Sequence, residues 1–201
     1  MAAEFYRETE GIRRLRVPFE GIYTSVFLIE ADGRRILVDS ATTAQDVEEV
    51  ILPALAKLGL TLGDIDTLVL THRHGDHAGG ADTLLHHAPT LSVVNKADQL
   101  LCEGIMTYPM GGHTEDCIGV LDTRTGTLIA GDGIQGAGVD KYPCYTQNAV
   151  MYLETLARIR EDARIQNILF SHAYEPWYKD AARGRAELER CLLDCPQYVK
   201  K

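Results

Sequence analysis

A chain of 201 residues with 45% hydrophobic and 24% charged side chains is long enough to bury a sizeable core in one globular domain. Its formal net charge of −9 argues against a broad basic face for nucleic acid, and no apolar run approaches the length of a membrane span. The opening Met1-Ala2-Ala3-Glu4-Phe5-Tyr6-Arg7 has no apolar h-region and no small-residue cleavage site, so no signal peptide is expected. Five cysteines (102, 117, 144, 191 and 195) lack zinc-ribbon spacing and read as reduced thiols of a cytoplasmic protein.

Strands and helices are expected to alternate along the chain. Residues 12–17 and 21–30 read as strands, the second alternating and rich in β-branched and aromatic residues. Ala31-Asp32-Gly33 supplies the positive-φ positions of a hairpin turn, and Arg34 to Asp39 returns as the next strand. Over 43–58, Val47, Val50, Ile51, Leu55 and Leu58 recur at helical spacing, with Thr43 as cap, Gly59 as stop and Pro53 expected to kink or divide the helix. Further strands are expected near 66–71, 91–95, 117–122, 127–131 and 167–171. Helices are expected around 80–87, 96–102, 146–163 and 180–194. With no internal repeat and no linker, residues 1–201 read as a single α/β domain.

The densest chemical signal is Thr71-His72-Arg73-His74-Gly75-Asp76-His77, behind the apolar Leu68-Val69-Leu70. A strand emptying into a glycine-rich turn can aim His72 and His74 into one pocket, and the turn can bring Asp76 and His77 back to it. Neutral imidazoles with a carboxylate suit a borderline divalent ion such as zinc and leave room for a bound water. Three of the seven histidines fall in this one stretch, which a solvated polar turn does not require.

Four other polar residues sit beside turns at predicted strand ends: Asp39, Asp132 and His172 close strands, and His113 lies in Gly111-Gly112-His113-Thr114 between apolar segments. Strand ends are where α/β folds gather ligands. Singly, each has a plain structural reading as a turn former, a loop residue or a partly buried imidazole; five places of one kind in one chain shift the balance to a metal site.

Taken in order, Asp39, His72-x-His74-x-Asp76-His77, His113, Asp132 and His172 resemble the five recurring motifs of the metallo-β-lactamase-fold hydrolase superfamily. The resemblance implies a four-layer αββα sandwich of two mixed β-sheets flanked by helices, with a dinuclear metal site at one edge of the sheets. By position it implies His72, His74 and His113 on the first ion, Asp76, His77 and His172 on the second, and Asp132 bridging. It places Asp39 behind the ligands, orienting them by hydrogen bonds. Two divalent ions are implied, zinc first, with iron or manganese as alternatives.

Departures within the family narrow the substrate. β-Lactamases of this fold usually lack the bridging carboxylate that Asp132 supplies, flavodiiron-type members carry Glu where this chain has His74, and long nuclease members carry an inserted domain. What remains is similar to glyoxalase-II-like thioesterases and acyl-homoserine lactonases. The final motif, Ser171-His172-Ala173-Tyr174-Glu175-Pro176, differs from the common glycine-rich version, and the residues up to Lys201 leave room for at most a short final helix.

The expected enzyme is a dinuclear zinc-dependent hydrolase. In it a metal-activated hydroxide attacks a small-molecule ester, thioester or lactone, and Asp76 orients the hydroxide and returns a proton to the leaving group. Two alternatives stay open: a phosphodiesterase-type hydrolase, and a mononuclear-iron persulfide dioxygenase-like oxidoreductase. The expected partner is a small-molecule substrate, not nucleic acid or membrane. Tyr108, Tyr142, Tyr145 and Tyr174 lie near predicted site loops as either oxyanion donors or pocket wall, Tyr174 foremost. Gly133 to Tyr145 reads as a flexible pocket wall, Cys117 and Cys144 as buried thiols, and Arg73 as a charge turned from the histidines.

Overall fold

The computed structural model describes residues 3–134, 146–173 and 179–198. Chain contacts gather into two compact units, Met1–Asn95 and Lys96–Lys201. Each contains a mixed six-stranded sheet with helices beside it, the pair of mixed sheets expected from the sequence.

In the first unit the strands run in chain order across the sheet: β1 (Tyr6–Thr9), β2 (Ile12–Phe19), β3 (Ile22–Ala31), β4 (Arg34–Val38), β5 (Thr67–Val69) and β6 (Ser92–Val94). The first four are antiparallel, and β4, β5 and β6 are parallel. The β3–β4 turn is the expected one, with Asp32 at φ 50° and Gly33 at φ 69°. Strand β1 was not legible from hydropathy, because it pairs with β2 and buries an ion pair rather than an apolar run. Arg14 Nε lies 2.7 Å from Glu8 Oε1, and the guanidinium stacks over Phe27 at 4.8 Å.

The helix expected over 43–58 is divided, as Pro53 requires. Thr43 caps α1 (Ala44–Asp46) in a reciprocal capping box, a π-helical turn spans Val47–Ile51, and α2 (Leu52–Lys57) follows with Pro53 in its first turn. The Leu52 amide donates five residues back to Val47, so the widened turn absorbs the donor that proline lacks and the crowding of its ring. Gly59, at φ 73°, ends the run. Two short helices complete this unit, α3 (Gly75–Ala78) and α4 (Ala81–His87). Its core joins Leu15, Val26, Leu28 and Leu37 of the sheet to Val47, Ile51, Leu55 and Leu84 of the helices.

The second unit holds β7 (Leu100–Cys102), β8 (Ile105–Pro109), β9 (Ile118–Asp122), β10 (Thr127–Ile129), β11 (Asn167–Leu169) and β12 (Ala181–Arg183). They are antiparallel except for the β10–β11 pair. Helices α5 (Ala149–Glu161) and α6 (Arg185–Asp194) supply Tyr152, Leu156, Ile159, Leu188 and Leu192 to a core with Leu121, Leu128, Ile168 and Phe170.

Two helical expectations are corrected here. Residues 96–102 were read as helix, but Leu100–Cys102 is a strand paired with β8 through the turn at Gly104, whose φ is 80°. The helix expected over 180–194 begins only at Arg185. Ala181–Arg183 pair with β11, and Gly184, at φ 77°, separates them from α6. Among the described residues no helix is long and apolar enough to cross a membrane.

Candidate metal centre

Strand β4 delivers Asp39 and strand β5 delivers Thr71 and His72, because the parallel pairing Val38↔Val69 brings both chains out at the same sheet end. The Asp39 amide donates to the Val69 carbonyl at 2.8 Å, and the chain then turns sharply, with Asp39 at φ 65° and Ala41 at φ 59°. Both are left-handed conformations, strained for non-glycine residues and held by the surrounding contacts. The Ser40 amide and hydroxyl donate to the His77 carbonyl at 2.7 and 2.9 Å, tying this turn to α3. Gly79 and Gly80 permit the approach. A Cβ at Gly79 would meet the Thr42 carbonyl oxygen at 1.9 Å, and one at Gly80 the Ser40 carbonyl oxygen at 2.2 Å.

The result is a buried network. Asp39 Oδ1 accepts from the Thr71 amide at 2.8 Å, and Asp39 Oδ2 lies 2.7 Å from His77 Nδ1. A carboxylate accepts only, so His77 carries its proton on Nδ1 and presents Nε2 as a lone pair. That Nε2 lies 3.4 Å from Asp76 Oδ2. His72 Nε2 and His74 Nδ1 stand 3.0 Å apart, their rings at 75°. His72 and His77 are buried, while Asp76 keeps 15% of its side-chain surface exposed.

In the second unit three loops at one end of the sheet carry the remaining candidates. The β10–β11 pairing Ile129↔Leu169 places Asp132 and His172 at equal distance beyond two adjacent parallel strands. His113 lies in the β8–β9 connection, whose ends pair as Pro109↔Ile118. Its loop is seated on the start of α5: the Gln147 and Asn148 amides donate to the His113 and Gly112 carbonyls at 3.2 and 3.1 Å, and Thr155 Oγ1 donates to the Gly111 carbonyl at 2.8 Å. Gly112, at φ 135°, lets this loop lie against α5, where a Cβ would meet Tyr152 Cα at 2.5 Å. Asp132 then offers one oxygen to each imidazole: Oδ2 is 3.7 Å from His113 Nε2, and Oδ1 is 3.2 Å from His172 Nε2. All three residues are buried.

These spacings suit metal ligation. Two ligands about 2.0–2.2 Å from one tetrahedral ion lie about 3.3 Å apart. The ligand-atom pairs His72–His74, Asp76–His77, Asp132–His172 and Asp132–His113 span 3.0 to 3.7 Å. Buried and half-buried imidazole and carboxylate, with no thiolate among the described residues of the two clusters, form a donor set for a borderline divalent ion. Within the first unit, Asp39, Thr71 and Ser40 hold His72 and His77 in place.

Other sequence candidates separate from the site chemistry. His86 and His87 are exposed on α4, His87 Nε2 pairing with Glu48 Oε1 at 2.6 Å. Arg73 is exposed between its two buried or half-buried histidine neighbours. Cys117 is a buried core thiol, as expected. Tyr108 belongs to the second unit's core, where burial first and the neighbouring Asp162 second push its phenol up to about 12. Tyr142, Tyr145, Tyr174, Cys144 and all of the Gly133–Tyr145 stretch beyond Ile134 lie outside the described residues. Sequence reading missed Thr71 as a participant, although its place beside His72 was the available signal.

The chain is similar to known proteins in sequence and in fold. Residues 20–101 match the metallo-beta-lactamase superfamily. Over 150 residues the chain is 29% identical to the uncharacterized protein YobT of Bacillus subtilis, covering 56% of this chain and 62% of that protein. Over 165 residues it is 28% identical to a hydroxyacylglutathione hydrolase of Yersinia pestis, covering 69% of this chain and 64% of that enzyme. The matches thus span less than two thirds of these relatives' own length. A metallo-beta-lactamase of Erythrobacter litoralis, crystallised with beta-mercaptoethanol in its active site, superposes with a TM-score of 0.72 at 21% identity, covering 97% of this chain and 96% of that one. Residues 20–101 thus match the metallo-beta-lactamase superfamily, and the two mixed, helix-flanked sheets have the fold of the metallo-beta-lactamase structures to which the chain is similar.

Proposed function

We propose that this chain is a metal-dependent hydrolase of small-molecule esters, thioesters or lactones, working with two divalent ions, zinc first. In this reading His72, His74 and His113 serve one ion, Asp76, His77 and His172 the other, and Asp132 both. The observation that carries it is Asp132, whose two oxygens each face a different imidazole at 3.7 and 3.2 Å. Two oxygens of one carboxylate turned to two different imidazoles are the arrangement that a ligand shared by two ions needs. Bound there, two divalent ions would bring a water's pKa down toward about 7 and polarise a carbonyl oxygen.

The chain's own residues do the rest. Asp39 fixes the His77 tautomer so that Nε2 is available to a cation, and that buried pair keeps the ring from rotating. Asp76, part exposed beside that Nε2, is placed to hold a proton and pass it to the departing alkoxide or thiolate. His113 and His172, both buried beside Asp132, shield its carboxylate from bulk water. Similarity to a hydroxyacylglutathione hydrolase supports the acyl-transfer class, since an acylglutathione is a thioester.

The test is a panel of p-nitrophenyl esters, lactones, acylthioesters and bis-p-nitrophenyl phosphate, run with metal quantification on the same protein. Turnover of an ester, lactone or thioester with two zinc equivalents supports the proposal. Turnover of the phosphate diester alone, or one iron equivalent with oxygen-dependent chemistry, overturns it.

A further inference from the structure

Asp39 touches one imidazole directly, but a second one lies within its reach through a hydroxyl. Thr71 Oγ1 lies 3.0 and 2.9 Å from the two Asp39 oxygens, 3.1 Å from His72 Nδ1 and 3.4 Å from His77 Nδ1. All four side chains are buried. A hydroxyl has one proton to give and two lone pairs to receive with. A fully buried carboxylate accepts only, and every donor it gathers offsets the loss of its hydration. Asp39 therefore takes the Thr71 hydroxyl proton as well as the Thr71 amide proton and the His77 Nδ1 proton.

With its proton committed to Asp39, Thr71 Oγ1 faces His72 as an acceptor. His77 Nδ1 has already given its proton to Asp39 at the shorter distance of 2.7 Å, which leaves His72 Nδ1, at 3.1 Å, as the donor to the hydroxyl. A neutral imidazole carries one proton. With it on Nδ1, His72 Nε2 is a lone pair, and that is the atom 3.0 Å from His74 Nδ1.

We propose that Thr71 is a positioning residue that relays the Asp39 carboxylate to His72, so that one buried acid sets the tautomer and orientation of two imidazoles. Resting on the proposed function, these are His72 for one ion and His77 for the other. A valine at 71 fills the same volume without the relay; a serine restores it.

The test is nitrogen NMR of histidine-labelled full-length chain, first without metal and then titrated with zinc. The relay predicts that metal-free wild type holds His72 as the Nδ1–H tautomer, that Thr71→Ser keeps it, and that Thr71→Val moves it toward Nε2–H or a mixture while His77 stays Nδ1–H. It also predicts zinc affinity reduced about 10- to 100-fold in Thr71→Val, and recovered to within about threefold in Thr71→Ser. An Nε2–H tautomer at His72 in wild type overturns the relay, and that reading needs no variant to fold. An unchanged His72 tautomer in Thr71→Val, or equal loss of affinity in the serine and valine variants, also overturns it. Failure to bind zinc at all would strike the proposed function while the metal-free tautomers still decide the relay.

Discussion

The two units supply ligand candidates in different ways. In Met1–Asn95, four candidates fall within six residues, at the end of one strand and in the short helix after it, and they rest on a buried acid that is no ligand candidate itself. In Lys96–Lys201, three candidates come from three separate loops, and the acid at their centre is itself a ligand candidate. The backing of the first set is satisfied without any ion, because protein donors surround Asp39. The second brings a buried carboxylate against two imidazoles and gains most when a cation sits among them. The satisfied buried acid thus lies in the first unit, and the buried carboxylate that a cation would satisfy in the second.

The largest expected effect sharpens the catalytic side of that contrast. Asp76→Ala should lower turnover on any substrate found by about 10²–10⁴-fold, since it removes a ligand and a proton carrier together. His86→Ala, exposed on α4 a few residues later, should leave steady-state rates essentially unchanged. Equal severity in the two variants would place the chemistry elsewhere.

Stability should separate the two acids. Asp39→Ala strands the Thr71 amide, the Thr71 hydroxyl and His77 Nδ1 in a dry interior, so the metal-free protein should lose about 2–5 kcal/mol in denaturant titration. Asp132→Ala should cost the metal-free protein less than half of that and should instead erase most of the stabilisation that zinc confers. Reversal of this order would break the comparison.

Chelation should lower the melting temperature of wild type. At free zinc 100-fold above its dissociation constant, the bound ion stabilises by about 2.7 kcal/mol. Identical melting with and without chelator would contradict metal dependence in either half.

The smallest effect lies far from the ligands. Asp66 accepts from the Arg35 amide at 2.8 Å and from Arg34 Nη1 at 2.7 Å, and these bonds, the backbone one first, hold its carboxyl below the usual range. Its contribution is complete above the unfolded carboxyl's value, about 3.9, and fades as the pH falls through the lower folded value. Asp66→Asn should therefore cost under about 1 kcal/mol at pH 7 and flatten the acid limb of a pH–stability curve, leaving activity unchanged.

Much of this was legible in the sequence, for physical reasons that also explain the misses. The hairpin at Asp32-Gly33, the capped start at Thr43 and the division at Pro53 are local decisions made by one or two residues, and local residues announced them. Strand β7 was not legible, because Leu100 to Cys102 are extended only through pairing with β8, which no short window contains. Strand β1 depends on a buried Arg14–Glu8 pair, and charge on a sequence reads as surface. At the centre, the residue types and their order marked Asp39, the histidine cluster, His113, Asp132 and His172. The role of Thr71 was hidden, since a hydroxyl beside a histidine becomes informative only when a distant carboxylate is seen against it.

In the proposed site Asp132 and six other ligands serve two ions. Elemental analysis of protein purified without chelators and equilibrated with excess zinc, then desalted, tests it most directly. Two ions require close to two equivalents per chain in wild type, with Asp132→Ala falling below that. A reproducible single equivalent in wild type under zinc-replete conditions would contradict it.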